Sequence, residues 1–158
     1  MIEMLGVLAI VGVLSAGGIA GYSMAMQSYK TNQLIDKINL MVTRARQVYK
    51  GNYTGLSCAN LVSAGKLTDC NSPFGGVIDI VRGYNGETYF SIHTTNNIPA
   101  EACVDLLSTY WGPDGVFLAI TVSGYSDFGH SLGNYPPAFS TIVSQCAGGN
   151  KKISWSFK

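Results

Sequence analysis

The chain has 158 residues, of which 47% are hydrophobic and only 12% charged, with a formal net charge of +1. That charged fraction is well below the ~25% usual for soluble domains. It excludes a densely charged, solvating surface and leaves one that is polar and weakly charged, as suited to packing against copies of itself as to water. The length fits one anchor segment plus one globular domain of roughly 100 residues.

The chain opens "MIEMLGVLAIVGVLSAGGIAGYSMAM", with no charge from Met4 to Tyr29. At ~1.5 Å per residue, Met4–Met26 reaches ~35 Å, enough to span a hydrocarbon core of ~30 Å. It is too long for a signal-peptide core, and no small-residue cleavage site follows it. Glu3 stands at the tip of this apolar run, where a carboxylate is costly unless it is paired. Five glycines punctuate the segment: Gly6, Gly12, Gly17, Gly18 and Gly21. Gly17 and Gly21 have the GxxxG spacing that lets helices approach closely in lipid. Poor helix propensity there also predicts local melting around Gly17–Gly21 once the helix leaves the bilayer.

The helical pattern continues past the anchor. Leu34, Ile38, Met41, Ala45 and Val48 recur at steps of four and three, and neither Gly nor Pro falls between Gly21 and Gly51. One helix is therefore expected from about Ile2 to Tyr49, roughly 70 Å long, stopped by the turn chemistry of "GNYTG" at 51–55. Its second half carries Lys30, Lys37, Arg44, Arg46 and Lys50 against Asp36 alone. Spread along a helix without aromatic platforms, these charges point to a solvated or subunit-facing surface, and nucleic acid is not an expected partner.

Beyond that helix, a short helix is expected at "CANLVSAGKL", then a loop "TDCNSPFGG". Strand-like runs at 77–81 and 88–94 are joined by "RGYNGE", whose Asn85-Gly86 pair is a strong hairpin signal. "NIPAEACVDLLSTYW" reads as a helix with Pro99 near its start and Glu101 in its first turn. "GVFLAITVS" is another strand, "PAFSTIVSQC" a helix after a Gly- and Pro-rich stretch, and "KKISWSFK" an alternating terminal strand. The fold class is α+β, a long helix packed on a small antiparallel sheet. The expected organisation is an assembly or transmembrane helix segment at 1–26, its amphipathic continuation at 27–50, and a globular domain at 51–158.

Four cysteines, Cys58, Cys70, Cys103 and Cys146, all lie beyond the anchor. An even number without CxxC spacing predicts two disulfides in an oxidising compartment rather than a zinc site. The basic stretch after the anchor would instead place that side in the cytoplasm. The two readings agree if a more basic leader preceded Met1.

No catalytic constellation is expected. His93 and His130 are the only histidines and have no helical pairing. "SDFGH" at 126–130 contains a DFG triplet without a phosphate loop or partner lysine motif, and reads as turn composition. Asp114 and Asp127 lack calcium-loop spacing. Asn52-Tyr53-Thr54 is a formal glycosylation sequon that its turn context explains. Neither a cofactor nor a metal is implied.

A glutamate just inside an apolar helix that runs on into a long amphipathic helix and a cysteine-bearing α+β domain resembles the type IV pilins. "MIEMLGVLAIVGVLSAGGIAGY" is similar to that family's N-terminal segment. "NSPFGG" (71–76) looks like the Asn-Pro-Phe-Gly-Gly stretch of bundle-forming pilins. "EACVDLL" (101–107) and "QCAGGNKKISWSFK" (145–158) are similar to the paired cysteine segments of type IVb pilins.

The resemblance implies a pilin fold and a bond between Cys103 and Cys146. Sequence proximity then leaves Cys58 to Cys70. It also implies that a prepilin peptidase removes a basic leader, that the new N-terminal amine is methylated, and that Glu3 pairs with a neighbouring subunit's amine during assembly. A lone buried carboxylate costs several kcal/mol, and pairing offsets most of that. Only Met1 and Ile2 precede Glu3, whereas the family has four residues there. The expectation is that two mature residues and the leader are missing before Met1, the alternative being a different spacing in this chain.

The implied function is that of a major structural subunit, held in the inner membrane before assembly and polymerised through its N-terminal helix into an extracellular surface filament. Adhesion, aggregation, motility or uptake are the roles such a filament serves. Its partners would be copies of itself, the pilus assembly machinery, the peptidase and a cell-surface receptor that nothing in the sequence identifies. A minor pilin or secretion pseudopilin is the alternative. A membrane-tethered periplasmic enzyme or binding protein would explain the anchor but not Glu3.

Overall fold

In a computed structural model, residues 2–83, 88–95, 98–123, 127–149 and 151–158 are described, with the side chains of Ile2, Glu3 and Leu5 outside that description. Helix α1 runs unbroken over Ile2–Tyr49. It ends where Lys50 and Gly51 both take positive φ, 46° and 89°, a geometry that suits glycine.

The second half of α1 is where the chain first meets its own core. Leu34, Ile38, Met41 and Ala45 are all fully buried, whereas Val48 is 40% exposed. The expected stripe therefore fails at its last member, and the geometry explains why. Thr31 and Val42 are buried as well, which moves the centre of the buried face. At ~100° per residue, Val48 lies roughly 70° off that centre and Tyr49 only roughly 30°. Tyr49 accordingly packs against the core.

Helix α2 (Cys58–Ser63) opens with Ser57 as its cap, the hydroxyl accepting the backbone N–H of Asn60, which satisfies one of the first turn's unpaired donors. It is shorter than the expected 58–67. Gly65 turns left-handed at φ 66°, and the amides of Lys66 and Leu67 fold back onto the carbonyl of Leu61.

Strands β1 (Ile78–Arg82) and β2 (Phe90–Thr94) pair antiparallel; the Asn85-Gly86 turn between them lies outside the described residues. Helix α3 (Ala100–Ser108) starts after Pro99, with Glu101 in its first turn. Strand β3 (Phe117–Val122) follows, then β4 (Asp127–Gly129), a 3-10 turn at His130–Leu132, helix α4 (Phe139–Cys146) and strand β5 (Ile153–Phe157). The DFG triplet is thus a three-residue edge strand rather than a turn. Its backbone pairs with Ala119–Thr121, and Asp127 accepts the hydroxyl of Thr121 at 2.6 Å.

The sheet has the order β1-β2-β5-β3-β4, every pair antiparallel. The last strand of the chain therefore lies in the middle. Its alternate residues Ile153, Trp155 and Phe157 are buried, as period-two geometry requires for one inward face. Phe157 is in register with both Phe90 and Phe117, and Trp155 with both Ile92 and Ile120. Ring centroids of Phe157 lie 5.9 Å from Phe90 and 5.5 Å from Phe117. Such cross-strand aromatic pairs each add about 0.2–1 kcal/mol.

Disulfides join Cys58 to Cys70 and Cys103 to Cys146. The first ties α2 to the loop before β1, and the second ties α3 to the end of α4. Helix α1, the inward sheet face and the three short helices α2, α3 and α4 share one hydrophobic core.

Candidate assembly surface

The first half of α1 has no such core. Met4 and every residue from Gly6 to Ala25 are exposed, and burial begins at Met26 and Gln27. Leu8, Leu14 and Ile19 are 68%, 69% and 72% exposed. The helix is long and apolar enough to cross a membrane. A contiguous apolar surface of this size marks a membrane or protein contact. Its two serines add no unsatisfied polarity, because Ser15 and Ser23 return their hydroxyl protons to the carbonyls of Val11 and Ala20.

The glycines sharpen that inference. A Cβ built at Gly6, Gly12, Gly17, Gly18 or Gly21 meets nothing within 4 Å. Each lowers helix stability by up to ~1 kcal/mol relative to alanine, and no packing inside the subunit uses the space. Whatever favours glycine at these positions lies outside the subunit or in the deformability of the helix. In this isolated subunit, α1 remains continuous through Gly17–Gly21.

Glu3 sits in the first turn of α1. A negative charge is favoured there by only ~0.3–1 kcal/mol, too little to support burial without a partner. Along the sequence of the helix the first basic side chain is Lys30, some 40 Å further on.

Of the basic residues on the second half of α1, Arg44 donates to Gln47 within the helix, and Arg46 and Lys37 reach other parts of the subunit, in roles not evident in the sequence. Arg46 donates from Nε and Nη2 to the carbonyl of Lys158 and from Nη2 to that of Val116, clamping the end of the chain against the helix. Lys37 Nζ donates to Asp69 Oδ1 and, at 2.8 Å, to the carbonyl of Asn71. The Lys37 ammonium, followed by the Asn71 backbone N–H, holds the Asp69 carboxyl below its ordinary value. Arg and Lys side chains each carry several N–H donors on a long stem, so both can serve as tethers without a local motif.

A groove of about 520 Å³ between α1 and the α2–β1 loop contains the Lys37–Asp69 pair, and Thr68 on its rim donates its hydroxyl to Asp69 Oδ2. His93 lies opposite Asp79 on the sheet, where burial lowers its pKa and the Asp79 charge opposes that shift. His130 packs against Phe117 and Tyr135, with Nε2 at 3.1 Å from the carbonyl of Gly112. Tyr135 donates to the carbonyl of Thr109 and accepts the N–H of Trp111, and burial raises its pKa. Among the described residues no group of three His, Cys, Asp or Glu side chains could hold a metal. The Asn52 amide oxygen of the sequon accepts both the N–H and the hydroxyl of Thr54, a local turn.

A long helix, bare over its first half and carrying a disulfide-bonded α+β domain on its second, is the architecture of a pilin. Residues 28–158 match the family model described as PilS N terminal, and the chain belongs to that family. It is 24% identical over 145 residues to the major structural subunit of bundle-forming pilus from Escherichia coli O127:H6 (strain E2348/69 / EPEC), an alignment covering 85% of this chain and 75% of that one. Its fold is similar to that of TcpA, a type IV pilin from Vibrio cholerae El Tor biotype, with a TM-score of 0.60 at 16% identity over 82% of this chain and 99% of that one.

Proposed function

We propose that the protein is the major structural subunit of a type IV pilus, anchored in the inner membrane by residues 1–26 until assembly and then displayed on the cell surface as a filament. Residues 27–50 link that segment to the globular part at 51–158. The observation that carries this reading is the bare first half of α1 in a member of the PilS family. Twenty consecutive residues, Gly6 to Ala25, are exposed and almost all apolar, and no other described residue of the subunit covers them. Copies of the same helix, packed side by side, would bury that surface in a filament core. At ~25 cal/mol per Å² of apolar area, the burial is a strong driving force for association.

Within this reading Glu3 pairs with the N-terminal amine of a neighbouring copy, presented at the same membrane depth. A peptidase removes a leader to expose that amine, which is then methylated. The chain has no catalytic role of its own. Surface material sheared from cells that express it tests the proposal. The filaments should consist predominantly of this chain, and mass spectrometry of its first peptide should give the mature terminus and its methylation. A chain present only in trace amounts in abundant filaments would make it a minor subunit or pseudopilin.

A further inference from the structure

We propose that, before assembly, the underside of the globular domain seats on the bilayer through a lipid-facing groove at Phe74 and Lys30; this rests on the anchor reading above. A groove of about 350 Å³ opens where the exposed length of α1 ends. Tyr22, Met26 and Lys30 of α1 line it, together with Phe74 from the α2–β1 loop and Pro99 from the start of α3.

Three observations assign it to lipid. The first is depth. From Glu3 to Tyr22 is 19 residues, or ~29 Å, against a hydrocarbon core of ~30 Å. With Glu3 at one face of the bilayer, Tyr22 falls at the other, and Lys30 lies ~12 Å further out. Tyr22 and Tyr29 are both exposed, at 67% and 58%, and tyrosines at this level are the usual interfacial belt.

The second is construction. Phe74 is carried by a hairpin whose strands meet at Asn71 and Val77. The Ser72 amide donates to Gly76, that of Gly75 to Ser72 and that of Ile78 to Cys70. Gly75 and Gly76 supply the positive φ angles, 90° and 67°, that the tip requires. The Cys58–Cys70 bond and both contacts of Lys37 fix the base of this hairpin. Lys37 is two turns further up α1 than Lys30, so the hairpin descends from its tethers toward the anchor and holds Phe74 beside Lys30.

The third is charge. Lys30 is half-buried at the rim, and no hydrogen-bond or ion-pair partner faces it among the described residues. A lysine whose stem lies in an apolar groove with its ammonium at headgroup level is suited to a phospholipid phosphate. Phe74, half-buried against the domain's core, would present its exposed edge to the headgroup layer beside it. The seat fixes how deeply the anchor sits, and with it the depth at which Glu3 is presented to a neighbour.

Depth-dependent quenching tests this. The full-length Phe74→Trp protein is reconstituted in phosphatidylethanolamine–phosphatidylglycerol vesicles containing lipids brominated near the headgroup end or deep in the chain. Trp111 and Trp155 are buried in the core and give an unquenched baseline in the unsubstituted protein. The added emission should fall by more than half with the shallow probe and less with the deep one. Lys30→Gln should weaken that quenching in vesicles containing phosphatidylglycerol, and leave it unchanged when only zwitterionic lipid is present. Quenching no greater than the baseline, in protein that floats with the vesicles, would overturn the seat and leave the anchor intact. Protein that fails to float with them would remove the anchor reading as well. Emission shielded only after filament assembly would assign the groove to a second copy and overturn the lipid contact.

Discussion

Replacing Gly17 and Gly21 separates what the subunit needs from what the filament needs. Neither glycine touches anything in the subunit, since a Cβ at each lies in open space. The pair Gly17→Ala and Gly21→Ala should therefore stabilise α1, by up to about 1 kcal/mol per site. The globular core is remote from both positions, because burial begins only at Met26, so the domain's urea midpoint should not move. Filament yield from sheared cells is the discriminating measurement. If the helix must loosen in the filament, the alanine pair already lowers yield by opposing that loosening. If close approach is what matters, alanine is tolerated and the pair Gly17→Leu and Gly21→Leu abolishes assembly, because each leucine holds neighbouring helices further apart. Abundant filaments of normal diameter from the leucine pair would refute both accounts and return the glycines to the lipid-facing surface of an ordinary anchor.

Glu3→Ala should leave the domain folded and the protein membrane-inserted while filaments become scarce, with poor incorporation into mixed filaments; normal yield would make Glu3 an interfacial carboxylate. Removing Cys103–Cys146, which closes a separation of 43 residues, should destabilise the domain by ~4 kcal/mol, and removing Cys58–Cys70, with a separation of 12, by ~3 kcal/mol. Urea unfolding of the Ser variants measures both. Asp69 has its pKa lowered in the folded chain, so the contribution of the Lys37 tether is fully present above the ordinary aspartate value of ~3.9 and is lost as pH falls through the lower folded value. Asp69→Asn should flatten the urea midpoint's dependence on pH below about pH 4, and an unchanged slope would show that the tether carries no linkage.

Helix α1 was legible from end to end because its signals are local. An apolar run, a 3.6-residue period, the absence of breakers and a Gly-containing stop all act within one turn of the chain. Even there the final turn was misread at Val48, since the centre of a buried face depends on what packs against it. The β1–β2 hairpin was legible in the same way from its flanking runs. Strand β4 was not, because three polar-flanked residues at a sheet edge acquire their pairing only from Ala119–Thr121 across the gap. The clamp of Arg46 on Lys158 spans a separation of 112 residues, and no pattern in the sequence announces it.

By itself, then, the sequence determined the long helix, its division into an apolar and an amphipathic half, and the even set of cysteines beyond it. Tertiary structure alone decided that the last strand enters the centre of the sheet between β2 and β3, and that the Phe74 hairpin descends alongside α1. Strand order is chosen by which inward faces pack best together. The aromatic rung of Phe90, Phe157 and Phe117 exists only once three segments distant in sequence have met. Local patterning fixes which face of a strand is apolar, whereas the choice of neighbour rests on the shape and volume of side chains that come together only in the folded core.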